Sequence, residues 1–349
     1  KRDGFDMIGI RTDANDKIAM GHLTRCMSIA RQLKTLNQEV VFILSEDDSG
    51  QAITGQGFRY LCMNDRYDQK EQETERLMEI IRQEKIQTLL IDSYEVTDKY
   101  MRELHKICSI IYIDDLNRFR YPADLIINYR FGADKELYCA KGYENEQFLL
   151  GSDYAPLRPE FSEDRIEIKK ELSAIFLSTG GTDEFDLIVS VLRKLQNSTL
   201  KDTVKNVVTG RFYKSMDALT RMCQEDPTIC HYHDIQDVCK VMRQSDLAVS
   251  AGGTTLTELC ACGIPVIGIA IADNQLSGIR AYADAEIVLY AGDIRENREQ
   301  MADRVIQMAE LLKEDAALRE RMGKKAKAAI DGKGAMRIAK AIADLQESY

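Results

Sequence analysis

Short apolar, β-rich runs alternate with helical stretches along almost the whole chain, and this alternation restricts the fold more than any other feature. Met7 to Arg11 is apolar and precedes a polar turn. From about His22 to Leu36, Cys26, Ile29, Ala30 and Leu33 recur at three- and four-residue spacing, which puts them on one helix face. Val40 to Leu44, Thr88 to Ile91, Ile110 to Ile113 and Leu125 to Ile127 continue as strands, with Arg76 to Glu84 as a helix between them. Strands apolar on both faces and separated by helices predict parallel sheets covered on each side.

The alternation pauses between about Gly151 and Lys170, where Pro156, Pro159 and a charged run interrupt it, and resumes with Ala174 to Leu177, Val204 to Thr209, Leu247 to Ser250, Pro265 to Ile269 and Glu286 to Leu289. With 349 residues, the expectation is two Rossmann-like, doubly wound α/β domains with a cleft between them: 7–155, and 170–349 with a helical tail broken near Gly332 and Gly334. In such sheets ligands sit at the carboxyl ends of strands where the connections reverse, so informative residues should lie just after strands.

A net charge of −10 argues against a nucleic-acid partner, because phosphate-backbone contacts need clustered Lys and Arg. No segment has the apolar length to insert in a membrane. Residues 1–6 are charged, lack the apolar stretch of a secretory leader, and read as a foreign leader or the cut end of something longer. The nine Cys have no C-x-x-C spacing and read as reduced, mostly buried thiols of a cytoplasmic protein.

After the first strand comes Arg11-Thr12-Asp13, and then Gly21-His22 with Arg25. Gly21 permits a tight backbone and His22 opens a helix, whose positive N-terminal end disfavours imidazolium and favours the neutral ring a general base requires. Asp13 is the candidate to orient the imidazole, with Asp16 close by. A lone surface histidine and a plain turn aspartate are the simpler alternatives.

In the second half, Gly180-Gly181-Thr182-Asp183 follows a strand, and consecutive glycines let backbone N–H groups approach an anion, with a plain structural turn as the equal alternative. Gly252-Gly253-Thr254-Thr255 follows another strand and opens a helix that Thr254 or Thr255 can cap, or whose free N–H groups can hold a diphosphate. Glu258, one turn in, is a candidate to accept hydrogen bonds from ribose hydroxyls; the simpler alternative is favourable placement near the positive end of the helix. Asn274 and Gln275 follow the next strand. His231, His233 and Asp234 raise a metal site, but their position at a strand end favours a simple loop, and no zinc is expected.

Together, Arg11 to Asp13 with Gly21, His22 and Arg25, Asp92-Ser93-Tyr94, Ile113-Asp114-Asp115, Tyr154 to Arg158 with Phe161, Gly180 to Asp183 and Ser250 to Glu258 resemble two related groups. These are the nucleotide-sugar hydrolases of pseudaminic acid synthesis (UDP-2,4-diacetamido-2,4,6-trideoxy-β-L-altropyranose hydrolases) and the spore coat polysaccharide biosynthesis proteins of the SpsG type. The resemblance implies a B-type glycosyltransferase-like fold and hydrolysis of a UDP-linked acetamido-deoxy sugar. It implies that His22 activates water, that Tyr94 and Asn274 line the sugar pocket, and that Gly253, Thr254 and Glu258 hold diphosphate and ribose. Gly180, Gly181, Thr182, Gly252, Thr255 and Gln275 complete the expected nucleotide site. Arg11, Gly21, Arg25 and Arg158 are expected substrate contacts, with Asp13 beside His22.

No cofactor is expected, and Mg²⁺ bound through the diphosphate stays open. Ser93 stands where the hydrolases tend to have His, and the tail from about Arg298 is longer; both features lean to the spore-coat branch. The competing readings are a glycosyltransferase using a UDP-amino sugar and a non-catalytic nucleotide-sugar-binding protein.

Overall fold

The computed structural model describes residues 7–15, 18, 20–143, 146–163 and 169–347. Two compact units divide the chain. One comprises the described residues up to Pro159 together with those from Lys333 onward, and the other is Glu160–Gly332.

The first unit holds β1 (Met7–Thr12), β2 (Glu39–Leu44), β3 (Arg59–Cys62), β4 (Ile86–Asp92), β5 (Ser109–Ile113), β6 (Leu125–Asn128) and β7 (Gln147–Leu150). They pair in parallel in the order β3-β2-β1-β4-β5-β6-β7. Both faces are dry: Phe42 and Leu44 point into one core with Ile8, Leu90 and Ile111, while Val41 and Ile43 point into another with Leu89 and Ile110. Strands buried on both sides need no polar alternation, which is why they read as continuous apolar runs. The sequence reading omits β3 and β7, the two edge strands. Each is four residues long with an exposed first residue, too short and too half-buried to stand out.

The second unit repeats the plan with β8 (Ala174–Ser178), β9 (Val204–Thr209), β10 (Ile229–His233), β11 (Leu247–Ala251), β12 (Val266–Ala270) and β13 (Val288–Asp293), ordered β10-β9-β8-β11-β12-β13 and also parallel. In each sheet the connections reverse once, between β1 and β4 and between β8 and β11. Loops at those strand ends part to either side, and side chains from both can converge there.

The tail divides unexpectedly. Helices Arg298–Glu314 and Ala316–Ala329 stay with the second unit, but the last helix, Gly334–Glu347, belongs to the first. Its Ile338, Ala339, Ile342 and Leu345 complete the core that Leu23, Cys26 and Ala30 of the His22 helix begin. The expected C-terminal domain of 170–349 thus gives up its last helix, because that apolar face finds its partner on the first sheet. Gly334 allows the return: a Cβ there would lie 2.2 Å from the Ala155 carbonyl oxygen. Among the described residues, no helix is long and apolar enough to cross a membrane. All nine cysteines are free; four are buried and Cys139 is exposed.

Candidate active site

The helix Gly21–Thr35 starts directly beyond the β1 loop, with Met20 as its N-cap and no side-chain cap. His22 sits in its first turn and is buried. Its Nδ1 lies 2.7 Å from Oδ1 of Asp92, the last residue of β4. A carboxylate can only accept, so Nδ1 carries a proton, and the tautomer of the neutral ring that fits this contact has its lone pair on Nε2.

Arg25, one turn on, grips the same carboxylate: Nε donates to Asp92 Oδ2 at 2.6 Å and Nη2 to Oδ1 at 2.5 Å. Its Nη1 donates to Asp115 Oδ2 at 2.7 Å and to the Tyr129 hydroxyl at 2.5 Å. Tyr94 donates its hydroxyl to Asp115 Oδ2 at 2.8 Å and stands edge-on to the imidazole, with ring centroids 4.5 Å apart. The helix that follows β1 and the segments at the ends of β4, β5 and β6 therefore supply one continuous polar group around His22.

Its charge states follow from the packing. Burial would push the Asp92 carboxyl up, but the Arg25 guanidinium, helped by His22, outweighs it and holds Asp92 well below the carboxylate range. Burial and the Asp115 charge push the Tyr94 phenol up, so it stays a donor.

Two expected members lie elsewhere. Arg11 is fully buried and cannot touch a substrate. Its Nε and Nη2 donate to Glu73 at 2.9 and 2.7 Å, and its Nη1 to Asp13 at 2.8 Å. Asp13 does not orient the imidazole; Asp92 does. Asp13 instead accepts from Ser45 N at 2.7 Å and from Lys70 Nζ at 3.0 Å, beneath the β1 and β2 strand ends. Burial opposes ionisation of Asp13, but Arg11 and Lys70 overcome it and lower its pKa. Burial also opposes ionisation of Glu73, and Arg11 above all lowers its pKa. This buried four-charge cluster fastens the floor of the loop that leads to His22.

Gly21 is exposed, and a Cβ there would meet nothing within 4 Å, so neither packing nor a left-handed backbone requires glycine. Asp16 lies outside the described residues. Arg158 is half-buried near the end of the first unit.

In the second unit, the two glycine loops differ in one decisive respect. Asp183 turns back onto the helix Leu187–Leu195, accepting from Leu187 N at 3.0 Å and Ile188 N at 3.1 Å. That helix terminus is already filled by a carboxylate. Gly180 takes a left-handed φ of +93°, and Gly181 lies so close to Gly210 that a Cβ on Gly210 would come within 2.7 Å of it. Gly180 and Gly210 thus have structural reasons to be glycine, whereas a Cβ on Gly181 would meet nothing within 4 Å.

The helix Thr254–Ala261 is left open. Gly253 is its N-cap, no side chain caps it, and its first turn carries no acidic residue. Neither Thr254 nor Thr255 caps it as expected, because the helix starts at Thr254 itself. Of the two glycine loops, this one leaves its helix with an uncapped positive end, an arrangement that can receive an anion.

Gln275 accepts from Ile271 N through Oε1 at 3.1 Å, and its Nε2 lies 3.8 Å from where a Gly253 Cβ would be, so the amide donor faces the open terminus. A small cavity of about 130 Å³ adjoins it, lined by Thr179, Thr182, Phe185, Ile271 and Gln275. Gly252 packs against Gln275 and Ile279, Glu258 is buried one turn in, and Asn274 is exposed in the first turn of the helix Asp273–Asp284. His231 and His233 share the Thr209 hydroxyl, at 2.8 and 3.1 Å. Among the described residues, no three His, Cys, Asp or Glu side chains converge as metal ligands.

Asp92, Asp115 and Tyr129 were missed as site residues. Each ends or closely follows a strand, and that was the available signal; what the sequence lacks is which strands are neighbours.

Two parallel-sheet α/β units, each with its polar residues gathered at the strand-order reversal, define the B-type glycosyltransferase fold. Solved structures share it. The MurG protein of Acinetobacter baumannii superimposes with a TM-score of 0.69 at 13% identity, over 97% of this chain and 99% of that one. The Staphylococcus aureus MnaA–UDP structure does so with a TM-score of 0.66 at 14% identity, over 97% and 96%.

By sequence, the chain is 24% identical to the spore coat polysaccharide biosynthesis protein SpsG of Bacillus subtilis, over 97% of this chain and 98% of SpsG. It is 21% identical to the UDP-2,4-diacetamido-2,4,6-trideoxy-β-L-altropyranose hydrolase of Campylobacter jejuni, over 71% of this chain and 85% of that protein. An uncharacterized Methanocaldococcus jannaschii protein, MJ1062, is 27% identical over 74% of this chain, which spans only 54% of its length. No family model matches.

Proposed function

We propose that this chain is an enzyme of polysaccharide biosynthesis that acts on a UDP-linked amino sugar, and that it hydrolyses that sugar to UDP and the free sugar. The observation that carries the reading is the His22–Asp92 pair. An imidazole held with Nδ1 protonated presents Nε2 to take a proton from water attacking the anomeric carbon. The open terminus at Gly253 and Thr254, with the Gln275 amide, would bind the diphosphate and stabilise it as the leaving group, and Glu258 would hold the ribose. Asn274 and Tyr94 would contact the sugar. UDP needs little protonation to depart, so no strong general acid is required. Attack by a single water opposite UDP inverts the anomeric centre.

The name of the Campylobacter jejuni relative supports hydrolysis of a diacetamido-trideoxy sugar, and the SpsG relative supports a cell-surface or spore-coat polysaccharide pathway. A second reading has the same geometry. Solved neighbours include glycosyltransferases, among them one for kitacinnamycin with a TM-score of 0.70, and in a transferase His22 would deprotonate an acceptor hydroxyl instead of water. Incubation with a UDP-diacetamido sugar and no acceptor separates the two. UDP release at a rate that an added acceptor does not raise supports the hydrolase. Release only with an acceptor makes the protein a transferase.

A further inference from the structure

We propose that Asp115 recognises the sugar, and that the sugar group it reads is a hydrogen-bond donor: a hydroxyl or an acylamino N–H. This rests on the reading of the His22 site as the sugar side of the enzyme, and deepens it.

Two carboxylates hold Arg25, and they differ in what they leave free. Asp92 is fully buried, and both its oxygens are taken, by His22 and by two nitrogens of Arg25. The Asp115 side chain is 16% exposed. Both side-chain donors that reach it, Arg25 Nη1 and the Tyr94 hydroxyl, converge on Oδ2. Oδ1 has no partner among the described residues.

The segments around it are fastened. The Arg130 guanidinium donates to the Asp115 carbonyl, and Arg118 Nη1 donates to the Tyr94 carbonyl at 2.8 Å. The free oxygen is thus fixed on the same strand-end row as His22, with Tyr94 touching both. An ionised carboxylate only accepts, so it selects a ligand that donates. An ether, a carbonyl or a deoxy carbon at that position would leave the charge unanswered.

Asp115→Asn tests this, because it inverts one atom. The Asn carbonyl oxygen can keep Arg25 and Tyr94, which turns the NH₂ to the position Oδ1 held and presents a donor to a donor. Calorimetric titration of the full-length protein with UDP and with UDP-N-acetylglucosamine gives the sugar's share of binding as the ratio of the two Kd values. In Asp115→Asn that ratio should fall about 10- to 100-fold while the Kd for UDP stays unchanged. Tyr129→Phe, which disturbs Arg25 without touching Oδ1, serves as the comparison and should change the ratio less than about threefold.

Equal weakening of both ligands in Asp115→Asn, or an equal loss in Tyr129→Phe, overturns the assignment. The measurement needs no turnover, so it stands apart from whether water or an acceptor hydroxyl is the nucleophile. If the wild type binds UDP-N-acetylglucosamine no tighter than UDP, the sugar-side reading falls, and Asp115 with it.

Discussion

Asp92 Oδ1 accepts from His22 Nδ1 at 2.7 Å and from Arg25 Nη2 at 2.5 Å, so one oxygen at the end of β4 holds two side chains of the neighbouring helix. The imidazole cannot turn over without leaving Asp92, and Asp92 cannot move without uncovering a buried guanidinium. The basic nitrogen is positioned before any ligand arrives, which spares the reorganisation that a free side chain would need.

His22→Ala should lower kcat by about 10²- to 10⁴-fold, the usual share of a general base, and leave the Kd for UDP within about twofold. Chromatographic assay of UDP release and calorimetric titration with UDP check the two halves. A variant that turns over normally removes His22 from the chemistry.

Asp92→Asn keeps the shape but loses the charge, and its amide can supply a donor to Nδ1, favouring the wrong tautomer. The expected outcome is a kcat loss of about 10-fold or more with a changed pH profile, and little change in UDP affinity. Since Asp115 still neutralises Arg25, the protein should remain folded by circular dichroism.

The Arg11 cluster should matter for stability rather than for binding. Glu73→Ala leaves Arg11 and Lys70 buried with only Asp13 between them, and should cost about 3–5 kcal/mol in urea unfolding of the first unit. The UDP Kd should not move.

Acid should weaken the first unit through the same groups. Asp13, Glu73 and Asp92 all have folded pKa values below their free ones. Their stabilisation is complete above the unfolded carboxyl pKa of about 4 and is lost as pH falls through the folded values. Thermal midpoints measured from pH 7 downward should hold steady to about pH 5 and drop below about pH 4. In Glu73→Ala the drop should be smaller.

Gly253→Asp offers a signed test of the open helix terminus. Backbone φ there is −97°, suited to any residue, and a Cβ has room. The new carboxylate should cap the Thr254 helix, raising stability by up to about 1 kcal/mol, and should weaken UDP binding at least about 10-fold by occupying the anion site. Tighter UDP binding, or none of these changes, would mean that the diphosphate sits elsewhere.

By itself the sequence determined the two parallel sheets, most of their strands, the break near 160 and the importance of residues just after strands. These are local: apolar runs, helical periodicity and glycine turns are written within ten residues of one another. It also singled out His22 and Arg25, the family resemblance added Tyr94, and the tertiary structure brings those three together.

What only the tertiary structure decided is partnership. His22 and Asp92 stand 70 positions apart, and they meet because β4, not β2, follows β1 on that side of the sheet. Asp13, nine residues from His22, faces the other way because the charges that match it, Arg11 and Lys70, lie beneath the sheet end. Asp183 fills the helix terminus after one glycine loop, and the Thr254 helix after the other has no side-chain cap. The last helix joins the first unit because its apolar stripe is completed there. Spacing along a chain shows which face a side chain takes, but not which neighbour the sheet order sets beside it, and the chemistry of His22 depends on that neighbour.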